Sequence, residues 1–430
     1  MFGLDKYGGI GLHRIARFFE ERGIDAERLS ERSIAITGSN GKGSTASLAA
    51  AALKAHGLNS GVFTSPHMFD ICERFQFGER DMPRETFDRL AGEVLAFNDA
   101  LPADDRLGAF QFLFLVAVLW FEETQPDVIV WEAGVGGRYD PIRCARAHVG
   151  AMTSVELEHT QILGATEELI AYDKTDAIAP GGKLVLSPAV QPSLYERIRV
   201  YCGLSGKTVL PTADTLRLSG LHNTRAGERF TLTEANGDER AASLALGGAH
   251  QAQNAVTALC LAEQWLARAG RAFDLDAALD ALAKVSFPGR LQNLGGAPDL
   301  WIDVGHTPHA LELVTEAYCD VVSPERTLAV FGASSAKEVR KMAEIVARSF
   351  PRVLLTQAHK GGADVAAFSD LFAAHGDKAL IEPDITRAAA LAREIAATEG
   401  LTVLAIGGLF LATEFQVAWQ GGDPAALDFL

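Results

Sequence analysis

The residues best suited to chemistry are Gly38, Ser39, Asn40, Gly41, Lys42, Gly43, Ser44 and Thr45, read as G-S-N-G-K-G-S-T. They follow an apolar run, Ser33 to Thr37, expected as a buried strand, and open an alanine-rich helix reaching about His56. In a strand, glycine loop and helix, backbone N–H groups and a helix N-terminus converge on phosphate oxygens. The three glycines let the backbone come close, Lys42 can reach terminal phosphates, and the Ser44 hydroxyl suits a magnesium ion. Only two residues separate Gly38 from Gly41, so the spacing is not that of the general Walker A motif. A lone G-x-x-G is an ordinary strand-to-helix turn; Lys42 and Ser44 in register favour phosphate binding over it.

Two further strand ends carry polar groups. Ser60 to Phe63 ends at Thr64, Ser65, Pro66 and His67, and ligands of open α/β sheets sit outside the carboxyl ends of strands. A plain Ser-Pro turn explains these four residues equally well. Asp127 to Trp131 ends on Glu132, followed by A-G-V-G-G-R-Y-D from Ala133 to Asp140. A carboxylate there suits a magnesium ligand facing a phosphate site, and a glycine-rich run lets something approach the backbone; a solvated loop glutamate is the bland alternative.

The elements that must position these groups alternate. Helical spacing covers residues 5 to 30 and 107 to 123, Val149 to Ser154 reads as a strand, and a helix from about Thr166 to Ala179 carries Lys174. Strand and helix alternation predicts a doubly wound parallel sheet. Short alternating segments from about Val209 to Leu246 suggest an antiparallel appendage, and a long helix, about Ala252 to Ala269, returns to the core. Gly295 to Pro298 reads as a domain-joining turn, so residues 1–295 and 296–430 are expected as two domains, the second with its own strand and helix alternation.

The 430 residues are 48% hydrophobic and 22% charged, an ordinary globular composition long enough for two domains. A net charge of -16 argues against general nucleic-acid binding, which needs basic surface. The cysteines are scattered without C-x-x-C spacing, no signal peptide is evident, and the apolar run around Phe110 to Phe121 is too short to span a bilayer. A cytoplasmic protein without membrane association is expected.

Taken together, G-S-N-G-K-G-S-T, T-S-P-H at Thr64 to His67, E-A-G-V-G-G-R at Glu132 to Arg138, the His159 segment, Lys174, H-Q-A-Q-N-A at His250 to Ala255, F-P-G-R at Phe287 to Arg290 and D-V-G-H-T-P-H at Asp303 to His309 occur in the order of the folylpolyglutamate synthase family. This family includes the dihydrofolate synthases and belongs to the Mur ligase superfamily, which the chain resembles over nearly its whole length. The resemblance implies a P-loop parallel-sheet ATPase domain with a smaller Rossmann-like α/β domain. It implies ATP-dependent amide formation through an acyl phosphate, with L-glutamate joined to a folate or dihydropteroate carboxylate, in a monomer. It also implies that Lys42 contacts the β- and γ-phosphates, that Ser44, Ser65 and Glu132 hold one magnesium ion, and that His159 holds a second, with Glu132 bridging. Lys174 matches the lysine that the family carbamylates; by itself it would read as a hydrogen-bonded helix-surface lysine. Asn254 resembles the adenine-side residue, Arg290 the γ-phosphate contact, Asp303 the ribose contact, and His306 a residue lining the cleft.

Departures from the family pattern leave the ATP and metal residues almost intact. The usual G-L-D-H-T is Glu156 to Thr160, E-K-A-G is Asp173 to Asp176, G-G-R-L-D-A-T-N is Gly136 to Arg143, F-E is Phe110 and Gln111, and D-K-D is Ala336 to Glu338. New carboxylates at Glu156 and Asp176 would repel a polyanionic folate if they face its pocket. The alternatives are therefore a paralogous ligase joining an amino acid to another carboxylate and, from a different class, a non-catalytic ATP-binding module.

Overall fold

The computed structural model describes residues 11–334 and 338–427; Ala336 and Lys337, and the start of the expected helix from residue 5, lie outside them. That helix is two, Leu12–Arg22 and Ala26–Arg32. The chain turns at Gly23, and Asp25 caps the second helix by accepting from Glu27 N and Arg28 N.

The first sheet contains β1 (Ser33–Thr37), β2 (Ser60–Phe63), β3 (Phe75–Phe77), β4 (Arg80–Asp81), β5 (Val128–Glu132), β6 (Val149–Met152), β7 (Lys183–Leu186) and β8 (Thr208–Pro211). They are ordered β4-β3-β2-β5-β1-β6-β7-β8, parallel from β2 to β8, with β3 and β4 antiparallel at one edge. Every residue of β1 and β5 is buried because both faces of the sheet are covered. Helices Lys42–Ala55 and Ala249–Arg268 share one apolar layer with the sheet, and Leu12–Arg22, Arg84–Asp99 and Ala109–Thr124 share the other. This two-sided burial is why the strands read as continuous apolar runs. Trp131 lies against Phe63, Phe114 and Phe121, and its indole N–H donates to Ser33 Oγ at 2.8 Å. Each such side chain contributes about 1.5–3 kcal/mol by burial.

The expected appendage is a three-stranded antiparallel sheet of β9 (Leu216–Thr224), β10 (Gly227–Glu234) and β11 (Glu239–Ser243). The second main sheet has β12 (Gln292–Gly295), β13 (Leu300–Ile302), β14 (Thr327–Phe331), β15 (Val353–Gln357), β16 (Ala379–Asp384) and β17 (Thr402–Ile406), ordered β12-β13-β17-β14-β15-β16. It is parallel except for β12, which pairs antiparallel with β13. Gly295 to Pro298 is thus the turn of the β12–β13 hairpin inside this sheet, and not a link ahead of it. Turn-forming Gly and Pro mark hairpins as readily as linkers.

In the first sheet the chain leaves β1 toward β2 on one side and reaches β6 on the other. The carboxyl ends around this switch point, at β1, β2, β5 and β6, carry Gly38, Ser65, Glu132 and Thr153 with Ser154. An open α/β sheet forms its ligand crevice there.

Candidate active site at the strand ends

The phosphate loop is laced to the segment after β6. Ser39 N donates to Ser154 O at 3.0 Å, Asn40 N to Ser154 Oγ at 2.8 Å, Thr153 Oγ1 to Asn40 O at 2.5 Å, and Glu156 N to Ser39 Oγ at 3.0 Å. Gly41 ends the loop at φ 82°, where a Cβ would lie 2.4 Å from Asn254 Oδ1. Glycine is required there by both the left-handed backbone and the close side chain, and Asn254 is thereby fixed against the loop. Lys42 Nζ turns back to Gly38 O and Ser39 O at 2.9 and 3.3 Å, at the mouth of the loop. Ser44 is buried in the first turn of the following helix.

Glu132 meets this loop from β5. Its Oε2 accepts from Ser65 N at 2.8 Å and lies 3.4 Å from the position a Cβ would take on Gly43. Burial raises the Glu132 pKa, while the Lys42, Arg290 and Arg74 cations and the Ser65 N–H pull it down. Glu132 therefore ties the backbone after β2 to the loop that opens the helix of Ser44. The sequence motifs did not single out Arg74, which is half-buried with its Nε donating to His67 Nδ1 at 2.9 Å. Burial pushes the Arg74 pKa down to about 10, against the pull of Glu132 and Glu73. The signal was an arginine shortly after the T-S-P-H strand end.

Lys174 is 1% exposed, and its Nζ donates to Glu158 Oε1 at 2.8 Å. Burial lowers its pKa and Lys42 adds repulsion, whereas Glu158 opposes both. Burial alone would raise the Glu158 pKa, but Lys174, Lys42 and a Ser39 hydrogen bond hold it low. Lys174 is thus an inward-facing ion-pair partner and not a surface lysine. His159 stands with φ 45° at the N-cap of the turn Thr160–Leu163, and its side chain is exposed. Among the described residues no three His, Cys, Asp or Glu side chains form a group able to hold a metal ion. Beside the loop stand the Glu132 carboxylate and the serines Ser44 and Ser65, residue types that suit magnesium completing its shell with phosphate oxygens and water. A second cation does not fit an unmodified Lys174 ammonium.

The glycine-rich run after β5 receives protein. A Cβ on Gly137 would lie 2.5 Å from Lys174 O and 2.8 Å from Asp173 O, in the last turn of helix Glu167–Thr175. Phe110 packs equally closely on Gly134. Two carboxylates pin the run: Asp140 accepts from Gly134 N, Val135 N and Ile142 N, and Asp173 from Gly137 N and Arg138 N. The approach to the backbone inferred from the glycines is therefore made by the helix that carries Lys174.

From the second sheet, Asp303 follows β13 and accepts from Leu291 N at 2.7 Å and Gly305 N at 2.6 Å. Its pKa is raised by burial against the pull of Arg290. Arg290 lies over the Phe287 ring, whose edge is 3.1 Å from the Cβ position of Gly43. A cavity of about 780 Å3 runs from Ser65 and Met68 to Phe287, Arg290 and His306, so both sheets contribute to one cleft. The departing carboxylates are both engaged. Asp176 takes Arg138 Nε at 2.8 Å and Lys207 Nζ at 3.4 Å, and Glu156 takes Asn40 Nδ2 at 2.7 Å.

Residues 289–409 match the family described as Mur ligase, glutamate ligase domain. A probable bifunctional folylpolyglutamate synthase/dihydropteroate synthase of Halobacterium salinarum is 33% identical over 90% of this chain and 47% of its own. The dihydrofolate synthase/folylpolyglutamate synthase of Bacillus subtilis is 27% identical over 77% of each chain. The chain spans about half the length of the first curated relatives it matches. A folylpolyglutamate synthase structure from Mycobacterium tuberculosis, complexed with ADP and AMPPCP, superposes with a TM-score of 0.85 at 24% identity, covering 96% of both chains, which shows the shared fold. No helix among the described residues is long and apolar enough to cross a membrane. The chain thus carries a match to the Mur ligase glutamate ligase domain over residues 289–409, is similar in sequence to folylpolyglutamate and dihydrofolate synthases, and shares the fold of a solved folylpolyglutamate synthase.

Proposed function

We propose that the protein is an ATP-dependent carboxylate-amine ligase that adds L-glutamate to a folate or dihydropteroate, acting as a monomer. The observation that carries this reading is the buried Glu132 carboxylate set against Gly43 of the glycine loop, where it accepts from Ser65 N and feels the charges of Lys42, Arg290 and Arg74. Phosphoryl transfer needs alignment and charge neutralisation more than a protein nucleophile. Lys42 leaves its loop carbonyls for the β- and γ-phosphates, Arg290 reaches the γ-phosphate, Asn254 borders the adenine and Asp303 takes the ribose. Ser44, Ser65 and Glu132 hold a magnesium ion, which supplies charge neutralisation at the transferred phosphoryl group. The acceptor carboxylate takes that group, and the incoming amine displaces phosphate from the acyl phosphate.

Carbamylation of Lys174 by carbon dioxide would replace a repelling ammonium by an oxygen donor, which with His159 and Glu132 would hold a second ion. Burial of the amine, which favours its neutral nucleophilic form, supports this step. His306 lines the cleft that excludes water from the acyl phosphate. The division between the nucleotide-loop unit and the unit carrying Asp303 falls ahead of β12, near residue 289 rather than 295. Arg138 and Lys207 neutralise Asp176 and remove its objection to a polyanionic acceptor, whereas Glu156, bonded to the neutral Asn40 amide, keeps its charge.

The test is mass spectrometry of products from ATP, L-glutamate and either dihydropteroate or tetrahydrofolate. Glutamylated product is expected. Binding of nucleotide without glutamylation of either acceptor would turn the reading to another carboxylate.

A further inference from the structure

Glu156 stands where the family pattern has glycine, and its neighbours connect both halves of the cleft. Its Oε1 accepts from Asn40 Nδ2 in the phosphate loop at 2.7 Å, and its N–H donates to Ser39 Oγ at 3.0 Å. The same Oε1 lies 3.8 Å from Nε2 of His309, in the first turn of helix Pro308–Cys319 beyond β13. That distance is an ion-pair contact or one bridged by water. The helix dipole favours an anion beside the first turn of a helix, so a carboxylate supplied from across the cleft suits this place. The loop side is stiff: Ser39 and Asn40 are bonded to Ser154, and Thr153 to Asn40.

From this arrangement we infer that Glu156 is a positioning residue, a clasp that links the occupancy of the phosphate loop to the placement of the second unit through Asn40 and His309. The inference rests on the nucleotide-binding part of the proposed function. It concerns a residue that the family pattern does not supply, and it requires no contact between Glu156 and substrate.

The experiment is a double-mutant cycle on binding of the ATP analogue AMPPNP with magnesium, measured by calorimetry on the full chain. Glu156→Ala and His309→Ala are each expected to weaken binding about three- to fivefold, the range of a partly exposed pair. The double variant should bind no more weakly than the worse single variant, because both remove one contact. Glu156→Gln keeps an acceptor for Asn40 but drops the charge facing His309. It serves if the alanine variant misfolds, and adding His309→Ala to it should then cost nothing further. Unchanged binding in the single variants, or losses that multiply in the double variant, overturns the clasp while leaving the ligase reading in place. Failure of the unsubstituted protein to bind AMPPNP overturns that reading and the clasp with it.

Discussion

Replacing Gly137 by alanine tests whether the glycine-rich run serves the protein or a ligand. The added Cβ would lie 2.5 Å from Lys174 O, 2.8 Å from Asp173 O and 3.0 Å from Ala177 N. Ordinary contact begins at 3.4 Å, so the loop and the helix end must part by about 0.9 Å, the difference between 3.4 and 2.5. The obstructing atoms are backbone, held by the helix and by the bonds from Gly137 N and Arg138 N to Asp173. Overpacking costs about 1–3 kcal/mol, and the absence of a movable side chain puts this site at the upper end. For a unit of this size the loss corresponds to a fall in Tm of roughly 3–5 °C. The same displacement shifts Lys174 from Glu158, so ligase activity at a permissive temperature should fall as well. Thermal unfolding followed by circular dichroism, with a coupled assay for ADP, reads both effects. Gly92→Ala is the control: nothing lies within 4 Å of its added Cβ, within helix Arg84–Asp99, and it should stabilise. A Gly137→Ala protein with unchanged Tm and activity would refute the packing argument.

Lys42→Ala should abolish ATP turnover with little change in Tm, because among the described residues Lys42 Nζ bonds to carbonyls of its own loop; retained turnover would remove its phosphate role. Lys174→Ala should lose activity and regain part of it with added short-chain carboxylates, and full activity without them would reject the carbamate. Asp140 titrates at about 7, raised from 3.8 by burial against its three N–H donors. Between these values the unfolded chain has released the proton that the folded chain keeps, so this group's contribution to stability declines as pH rises. Asp140→Asn should flatten the slope of stability between about pH 4 and 7, measured by urea unfolding; an unaltered slope would contradict the raised value.

Much of the first sheet and its glycine loop was legible because their signals are local. The apolar run Ser33–Thr37, the loop glycines and the helix beginning at Lys42 occupy consecutive positions. The antiparallel appendage was likewise evident from short alternating segments and turn residues. Non-local contacts were not legible. Residues 134–137 look like a ligand cradle until the last turn of helix Glu167–Thr175 is seen filling it. Lys174 looks like a surface lysine until the fold buries it beside Glu158. Gly295 to Pro298 carries the same turn chemistry in a hairpin as in a linker, and only the pairing of β12 with β13 distinguishes them. The family resemblance pointed to Asn254, Arg290 and Asp303, which spacing alone would not have done.

The central claim is that ATP activates a carboxylate as an acyl phosphate. Its most direct measurement uses an acceptor, dihydropteroate or tetrahydrofolate monoglutamate, carrying a heavy-oxygen label in its carboxylate, with unlabelled ATP and L-glutamate. The inorganic phosphate released during ligation is then analysed by mass spectrometry. Transfer of labelled oxygen from the carboxylate to phosphate, in step with glutamylated product, is the predicted result. Product formed with unlabelled phosphate would contradict the account.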